Sequence, residues 1–558
     1  MNSISKENNV ARLLAEVAQR VPDRPALVFQ TDSAVEKITF GQLWQDAGSI
    51  DAGLKSAGLK QGDRVIIMIP MSIDLYRVLL GVIKMGAVAI FVDPWIPASR
   101  IAKFAAFAEP TAFVGIGKSH LLRWMQSSLR RVPITVTTGR RIFRFPARYR
   151  LDSFRTQAAD LEVAAVRADD SALITFTSGS SGEPKGANRT HRFLESQHRA
   201  LAHEFPYHDN EVDMPMFPVF ALNNLVSGLT SVVPQMDFRK VAEVDGDLIA
   251  RQLVDFNVST ITASPPLLDR VAESLANSPG NSQRPQLRRL LTGGAPVTDA
   301  QLRRWRECYD AETEIVVAYG STEAEPVGHI DARQRIAESG KNRGYCTVQV
   351  SKLIDARVIP IVKGVVELAG RSLEQLSLPP GEVGELVVSG SHVCRDYFRN
   401  ETATRENKLL DSEGRLWHRM GDTGYFDDQQ RFWLVGRVHS TIFYGQEMLH
   451  PQLLEQSARK VSDKILQVAA IGHGPDESLK VGVIVHATDP DEQLQFQIQQ
   501  QIEQDGMPCE FVLITSAKLP VDPRHNSKID YAKTIQQFST ELDAICKTDG
   551  NKMQVEND

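Results

Sequence analysis

The sequence predicts an α/β protein of at least two domains, on three observations. The chain is long, short β-rich runs alternate with helical patterns over its first three quarters, and the pattern restarts near Gly436. At 558 residues it exceeds the size at which one hydrophobic core keeps growing. Residues 65–70 (VIIMIP) read as a buried strand, residues 73–85 as a helix, and the run VAIFVDP as a second strand. Strand, helix and strand at this spacing imply parallel sheets with crossover helices. Similar strands recur at residues 172–177, 313–320 and 384–390, without a fixed-period repeat. Short strands and helices continue to about Phe538, and the final run CKTDGNKMQVEND has no apolar period. The expected organisation is therefore a large domain over residues 1–436, a smaller one over 437–540, and a flexible tail over 541–558.

Composition narrows the function. With 42% hydrophobic and 24% charged residues the chain can bury a large core and is not globally disordered. A net charge of −6 argues against general nucleic-acid binding, which needs a basic excess. The five cysteines, Cys308, Cys346, Cys394, Cys509 and Cys546, form no CxxC pair, so neither a disulfide framework nor a zinc site is expected. Free thiols fit a reducing cytoplasm. The start, MNSISKENN, lacks a signal-peptide apolar run. The longest apolar region, residues 65–92, is broken by Pro70, Asp74, Arg77 and Lys84. A membrane-spanning helix needs about 20 largely uncharged residues, so a soluble, cytoplasmic protein with at most peripheral membrane contact is expected. One stretch departs from the acidic average: residues 118–155 hold Arg130, Arg131, Arg140, Arg141, Arg144, Arg148 and Arg150. It reads either as a solvated face or as a patch that meets anionic membrane or a lipid-bearing partner.

The strongest local signal is Thr177-Ser178-Gly179-Ser180-Ser181-Gly182-Glu183-Pro184-Lys185-Gly186, between an apolar strand and a helical pattern from about His191. Small residues let backbone N–H groups approach a polyphosphate, and the hydroxyls and Lys185 add donors and charge. The order is not that of a Walker A loop. Gly117-Lys118-Ser119 has the Walker ending, but Ala112 stands where that motif requires its first glycine.

The run TSGSSGEPKG resembles the phosphate-loop signature of the adenylate-forming superfamily of acyl-CoA synthetases, luciferases and peptide-synthetase adenylation domains. Further motifs follow in that superfamily's order. Thr292-Gly293-Gly294-Ala295-Pro296 is similar to its adenine-side loop, and Tyr319-Gly320-Ser321-Thr322-Glu323 to its next core motif. Residues 419–425 (RMGDTGY) resemble its ribose motif, and Gly436-Arg437 its hinge. Leu519-Pro520-Val521-Asp522 with Ser527-Lys528-Ile529 resembles its C-terminal lysine motif. The match spans roughly residues 10–535.

The resemblance implies a large N-terminal domain of two α/β sheets plus a small distorted β-barrel, capped by a small mobile α+β domain. It implies ATP and Mg²⁺ as cofactors and assigns roles residue by residue. Thr177, Ser178, Gly179, Ser180, Ser181, Gly182 and Lys185 would cradle phosphates. Tyr319 would stack on adenine beside Gly294, Ala295 and Pro296. Thr322, next to Gly320 and Ser321, would contact the α-phosphate, and Glu323 would hold the metal. Asp422 would accept hydrogen bonds from the ribose hydroxyls, a paired geometry that suits a carboxylate. Arg437 would approach ribose or phosphate, and Lys528 would reach the substrate carboxylate and α-phosphate. The implied catalytic set is Lys185, Thr322, Glu323 and Lys528. Phe217, Phe220 and Ala221 would line the acyl pocket, and Arg437 with His439 would form the hinge.

Departures from the common ligase pattern bear on the second step. His439 stands at the usual hinge aspartate and Ser527 at the usual glycine before the lysine. Pro523, Arg524, His525 and Asn526 lengthen that motif, and Ala221 replaces a pocket histidine. The runs MPMFPVFALNNLVSGLTSVVPQMD, HRMGDTGYFD and LPVDPRHNSKID resemble the bacterial olefin-pathway β-lactone synthetases. That likeness implies adenylation of a fatty-type β-hydroxy acid with release of pyrophosphate, then attack of the β-hydroxyl on the activated carbonyl to give a β-lactone and AMP. Such a step needs only a conformer that brings hydroxyl to carbonyl. The alternatives are transfer to coenzyme A or a carrier-protein thiol and, in a different class, a nucleotide-binding pseudo-enzyme.

Overall fold

The structure, a computed structural model, describes residues 3–92, 96–139, 147–177, 184–277, 284–340, 343–475, 479–521 and 529–548. Runs of β-branched residues without polar alternation form strands covered on both faces. The first sheet places Arg64–Met68, Val88–Phe91, Ala112–Ile116 and Ile134–Thr138 in parallel register, with Tyr149–Arg150 at one edge. Ser171–Thr177 pairs parallel to Val88–Phe91, and Lys185–Thr190 closes the other edge antiparallel to it. The helix Ile73–Lys84 connects two of these strands and buries most of its length, including Tyr76 and Lys84. Lys84 is tolerated because its ammonium reaches Asp51 Oδ2 at 2.8 Å and the Glu162 carbonyl at 2.6 Å.

A second parallel sheet runs Glu314–Ser321, Arg289–Thr292, Thr260–Ala263, Val212–Pro215, Thr230–Val233 and Pro25–Gln30. Beyond Glu314–Ser321 the same sheet continues antiparallel through Ala324–Asp331, Tyr345–Val350, Arg431–Arg437, Leu416–Phe426, Gly384–Ser389 and Asp355–Ile359. Val327 and Val358, from opposite ends of this continuation, share one apolar core with Val348, Leu386 and Phe432. The sheet therefore curls around itself. This is the small barrel of the expectation, fused to the second sheet through the strand that carries Tyr319.

After Arg437 a single 3-10 turn, Val438–Ser440, leads to the hairpin Ile442–Tyr444 and Glu447–Leu449. The sheet Ile465–His473, Lys480–Ala487 and Phe511–Thr515 follows with the helices Pro451–Arg459 and Glu492–Gln504. Two apolar clusters hold this part together, and all their residues lie beyond position 441. Residues 541–548, placed at the start of the expected tail, are helical. Helix Ser539–Thr548 buries Leu542 completely, and Phe538, Leu542 and Ile545, at spacings of four and three, give it an apolar stripe. Among the described residues no helix is long and apolar enough to cross a membrane.

Candidate active site

Tyr319 lies near the end of a parallel strand whose neighbour, Arg289–Thr292, leads into the loop Gly293-Gly294-Ala295-Pro296. A Cβ on Gly293 would stand 2.6 Å from the Ala318 carbonyl, so glycine alone lets this loop lie against the residue preceding Tyr319. The Tyr319 hydroxyl donates to Asp422 Oδ2 at 2.5 Å. Asp422 faces Arg437 in strand register, and Arg437 Nε stands 3.1 Å from Asp422 Oδ1. Gly421, at φ +68°, supplies the left-handed residue just before the aspartate. Burial pushes the Tyr319 hydroxyl well above its ordinary value, and the Asp422 charge adds to the rise. Arg437 is raised mainly by Asp422. Three residues from three separate motifs thus form one unit, held by a hydrogen bond and an ion pair, with both carboxylate oxygens of Asp422 engaged.

Glu323 lies two residues beyond that strand and is buried. Its Oε1 accepts from the Tyr397 hydroxyl at 2.8 Å, and its carbonyl from the Cys394 N–H at 2.7 Å. Burial alone would raise its carboxyl, but the His418 ring, the Lys408 amine and the Tyr397 hydroxyl bring it below the usual value. Lys408 faces His418 across the pairing of Lys408–Leu410 with Leu416–Phe426. Its Nζ is buried with no hydrogen-bond partner among the described residues, and burial lowers its amine. Burial also holds the His418 imidazole down at about 3.

The strands flanking the phosphate loop pair at its base, with Thr177 opposite Lys185. Ser178, Gly179, Ser180, Ser181 and Gly182 lie outside the described residues, as does the side chain of Thr177. Lys185 Nζ stands 3.9 Å from Glu406 Oε2. The Gly186 carbonyl accepts from the Phe398 N–H at 2.8 Å, and the Pro184 carbonyl from Asn400 Nδ2 at 3.0 Å. Residues 394–408 therefore tie the end of the loop to Glu323. Thr322, partly exposed beside Gly320 and Ser321, is held through its carbonyl by Arg189 Nη2 at 3.0 Å.

On the apolar side, Phe217 and Phe220 stand with ring centroids 6.1 Å apart. Phe220 packs on Leu201, Phe205, Leu291 and Val316, directly beneath the strands that carry Thr292 and Tyr319. Leu201 and Val219 also line an apolar pocket with Leu80, Leu194, Leu222 and Val226. Ala221 is separate from this wall: it is fully buried in the core of the first sheet.

Lys528 lies outside the described residues, and the residues on either side of its segment pair with each other. Val521 bridges Ile529, and Asp530 N–H donates to the Pro520 carbonyl at 2.9 Å. His439 sits in the 3-10 turn that follows Arg437. Sequence reasoning gave no role to Arg189, Tyr397, Lys408 or His418. His418 did stand inside the quoted run HRMGDTGYFD, and its ten-residue separation from Lys408 across a turn was the available signal.

Residues 14–398 match the family model described as AMP-binding enzyme. An olefin beta-lactone synthetase of Stenotrophomonas maltophilia is 31% identical over 96% of this chain and 99% of its own length. A long-chain-fatty-acid–CoA ligase of Mycobacterium tuberculosis is 26% identical over 88% of this chain and 90% of its own. Among solved structures, the amide bond synthetase McbA of Marinactinospora thermotolerans superposes with a TM-score of 0.76 at 19% identity, covering 95% of this chain and all of that one. At that identity the likeness is one of fold.

Proposed function

The chain belongs to the AMP-binding enzyme family of adenylate-forming ligases, and from that premise we propose that it adenylates a fatty-type β-hydroxy acid with ATP and closes the adenylate to a β-lactone. The observation that carries the nucleotide half is the meeting of Tyr319, Asp422 and Arg437 within hydrogen-bond distance. Asp422, with one oxygen accepting from Tyr319 and the other facing the Arg437 guanidinium, can turn both oxygens to the two ribose hydroxyls, while Tyr319 offers its ring beside the loop 293–296 as the adenine platform. Thr322, with its backbone braced by Arg189, and Lys185 at the loop base supply donors toward phosphate.

Glu323 suits a hard divalent cation. It is an ionised carboxylate with Oε1 taken by Tyr397, and among the described residues no group of three or more ligating side chains surrounds it. Magnesium is commonly held in that way, by one or two carboxylates together with substrate phosphates. When bound, the cation neutralises the charge that develops as a carboxylate attacks phosphorus. Lys528, carried by the domain after residue 436, completes that neutralisation when the domain closes about Arg437 and His439.

The lactone step is supported by the 31% identity to an olefin beta-lactone synthetase over nearly the full length. The apolar wall at Phe217 and Phe220 and the adjoining pocket suit an alkyl chain. Thioester formation is the second reading, favoured by the likeness to a fatty-acid–CoA ligase. Incubation with ATP, magnesium and a β-hydroxy fatty acid, with and without coenzyme A, separates the two. A lactone formed without the thiol supports the first; a product formed only with it sinks the first.

A further inference from the structure

Three short helices at one corner of the first sheet present a face that the ligase reaction does not use. They are Ala98–Ala108, Gly117–Met125 and Ser127–Arg130, and Ser128 Oγ donates to the Ala102 carbonyl at 3.1 Å, joining the first to the third. Residues 96–139 hold six lysines and arginines against one acidic residue, in a chain of net charge −6. That acid, Glu109, is paired with Arg399 at 2.6 Å. Arg100, Lys103, Lys118, Arg130 and Arg131 are all exposed. Between them stand large apolar side chains left open to water: Leu121 at 39%, Trp124 at 48% and Met125 at 70% exposure. The Arg130 guanidinium lies 5.9 Å from the centre of the Trp124 ring.

We propose that this face docks peripherally on an anionic lipid bilayer. Leu121, Trp124 and Met125 enter the headgroup region, and the surrounding cations pair with lipid phosphates. Exposed apolar side chains bunched at one helix end, around an amphipathic indole and within a basic rim, fit a membrane–water interface. A basic face on an otherwise acidic molecule also orients the approach to a negative surface. The inner side of the same helices ties the face to the site. Phe104 stacks on Phe176 with centroids 4.3 Å apart, and Phe176 ends one residue before the phosphate loop begins at Thr177. The attraction to anionic lipid does not depend on which acid is activated.

The test is co-sedimentation of the full chain with vesicles of phosphatidylcholine alone or with equimolar phosphatidylglycerol. The wild type is expected to bind the anionic vesicles, and to bind them less at high salt. Arg130→Glu/Arg131→Glu and Leu121→Ser/Trp124→Ser/Met125→Ser should each lose about tenfold or more of that binding. Both variants should keep wild-type pyrophosphate exchange with a short soluble acid, which shows them folded. Wild-type protein that ignores anionic vesicles, or variants that bind them as well as wild type, would overturn the proposal. So would an acidic carrier protein that binds this face while vesicles do not.

Discussion

Asp422 joins Tyr319 to Arg437, the residue just before the turn Val438–Ser440, because its two oxygens hold one each. Asp422→Asn keeps the size of the side chain but removes the charge and one of the two acceptors. Hydrogen bonds to a charged group contribute about 1.5–3 kcal/mol, so the KM for ATP in pyrophosphate exchange should rise about 10- to 100-fold. An unchanged KM would remove Asp422 from nucleotide binding. At this scale the sequence was informative where a motif carried the residue. Tyr319, Glu323, Asp422 and Arg437 were all named from their runs, and the fold brings the first, third and fourth into contact. Lys408 and Tyr397 were not legible, because their significance comes from burial beside Glu323. No local pattern encodes a contact across more than seventy residues of chain.

Among the elements, helix His191–Glu204 matters most for the site, since it follows the phosphate-loop hairpin directly. Its last residue, Glu204, is braced by His329 Nδ1 at 2.9 Å and Ser351 Oγ at 2.7 Å, which fixes the helix to the curled antiparallel sheet. The His329 hydrogen bond holds the Glu204 carboxyl down to about 2 from a usual 4.5, against the opposing effect of burial. A depressed carboxylate stabilises the fold above its unfolded value and loses that contribution as pH falls through its folded value. Glu204→Gln should therefore cost about 1–2 kcal/mol at neutral pH, allowing for partial solvent screening. The gap from wild type should narrow as pH falls from 4.5 toward about 2. A gap that stays constant from pH 4.5 down to about 2 would mean that the charge plays no part. Element types were readable from periodicity: the strands at 172–177 and 313–320 and the helix from residue 73 appear within one or two residues of their expected places. The fusion of the barrel to the second sheet was not readable, because strand neighbours are set by packing and not by local sequence. Helix Ser539–Thr548 was missed for a related reason: its apolar stripe is completed by Phe538, outside the segment judged to be tail.

For the whole molecule, the proposed function requires two units that meet at the turn after Arg437: the larger would bind nucleotide and acyl chain, and the smaller would bring Lys528 to the reacting phosphate. Lys528→Ala should slow adenylation by about 10²–10³-fold, or about 3–4 kcal/mol, with ATP binding largely retained, because the nucleotide contacts proposed above come from residues before position 438. Pyrophosphate exchange at the wild-type rate would exclude Lys528 from the chemistry. The most direct measurement follows oxygen. A β-hydroxy fatty acid labelled with ¹⁸O in its carboxylate is turned over with ATP, and the nucleotide product is weighed. Attack of the carboxylate on the α-phosphorus, followed by loss of AMP from the acyl carbon, leaves one ¹⁸O in AMP. Unlabelled AMP, or label found in pyrophosphate or ADP, would contradict acyl-adenylate formation at this site.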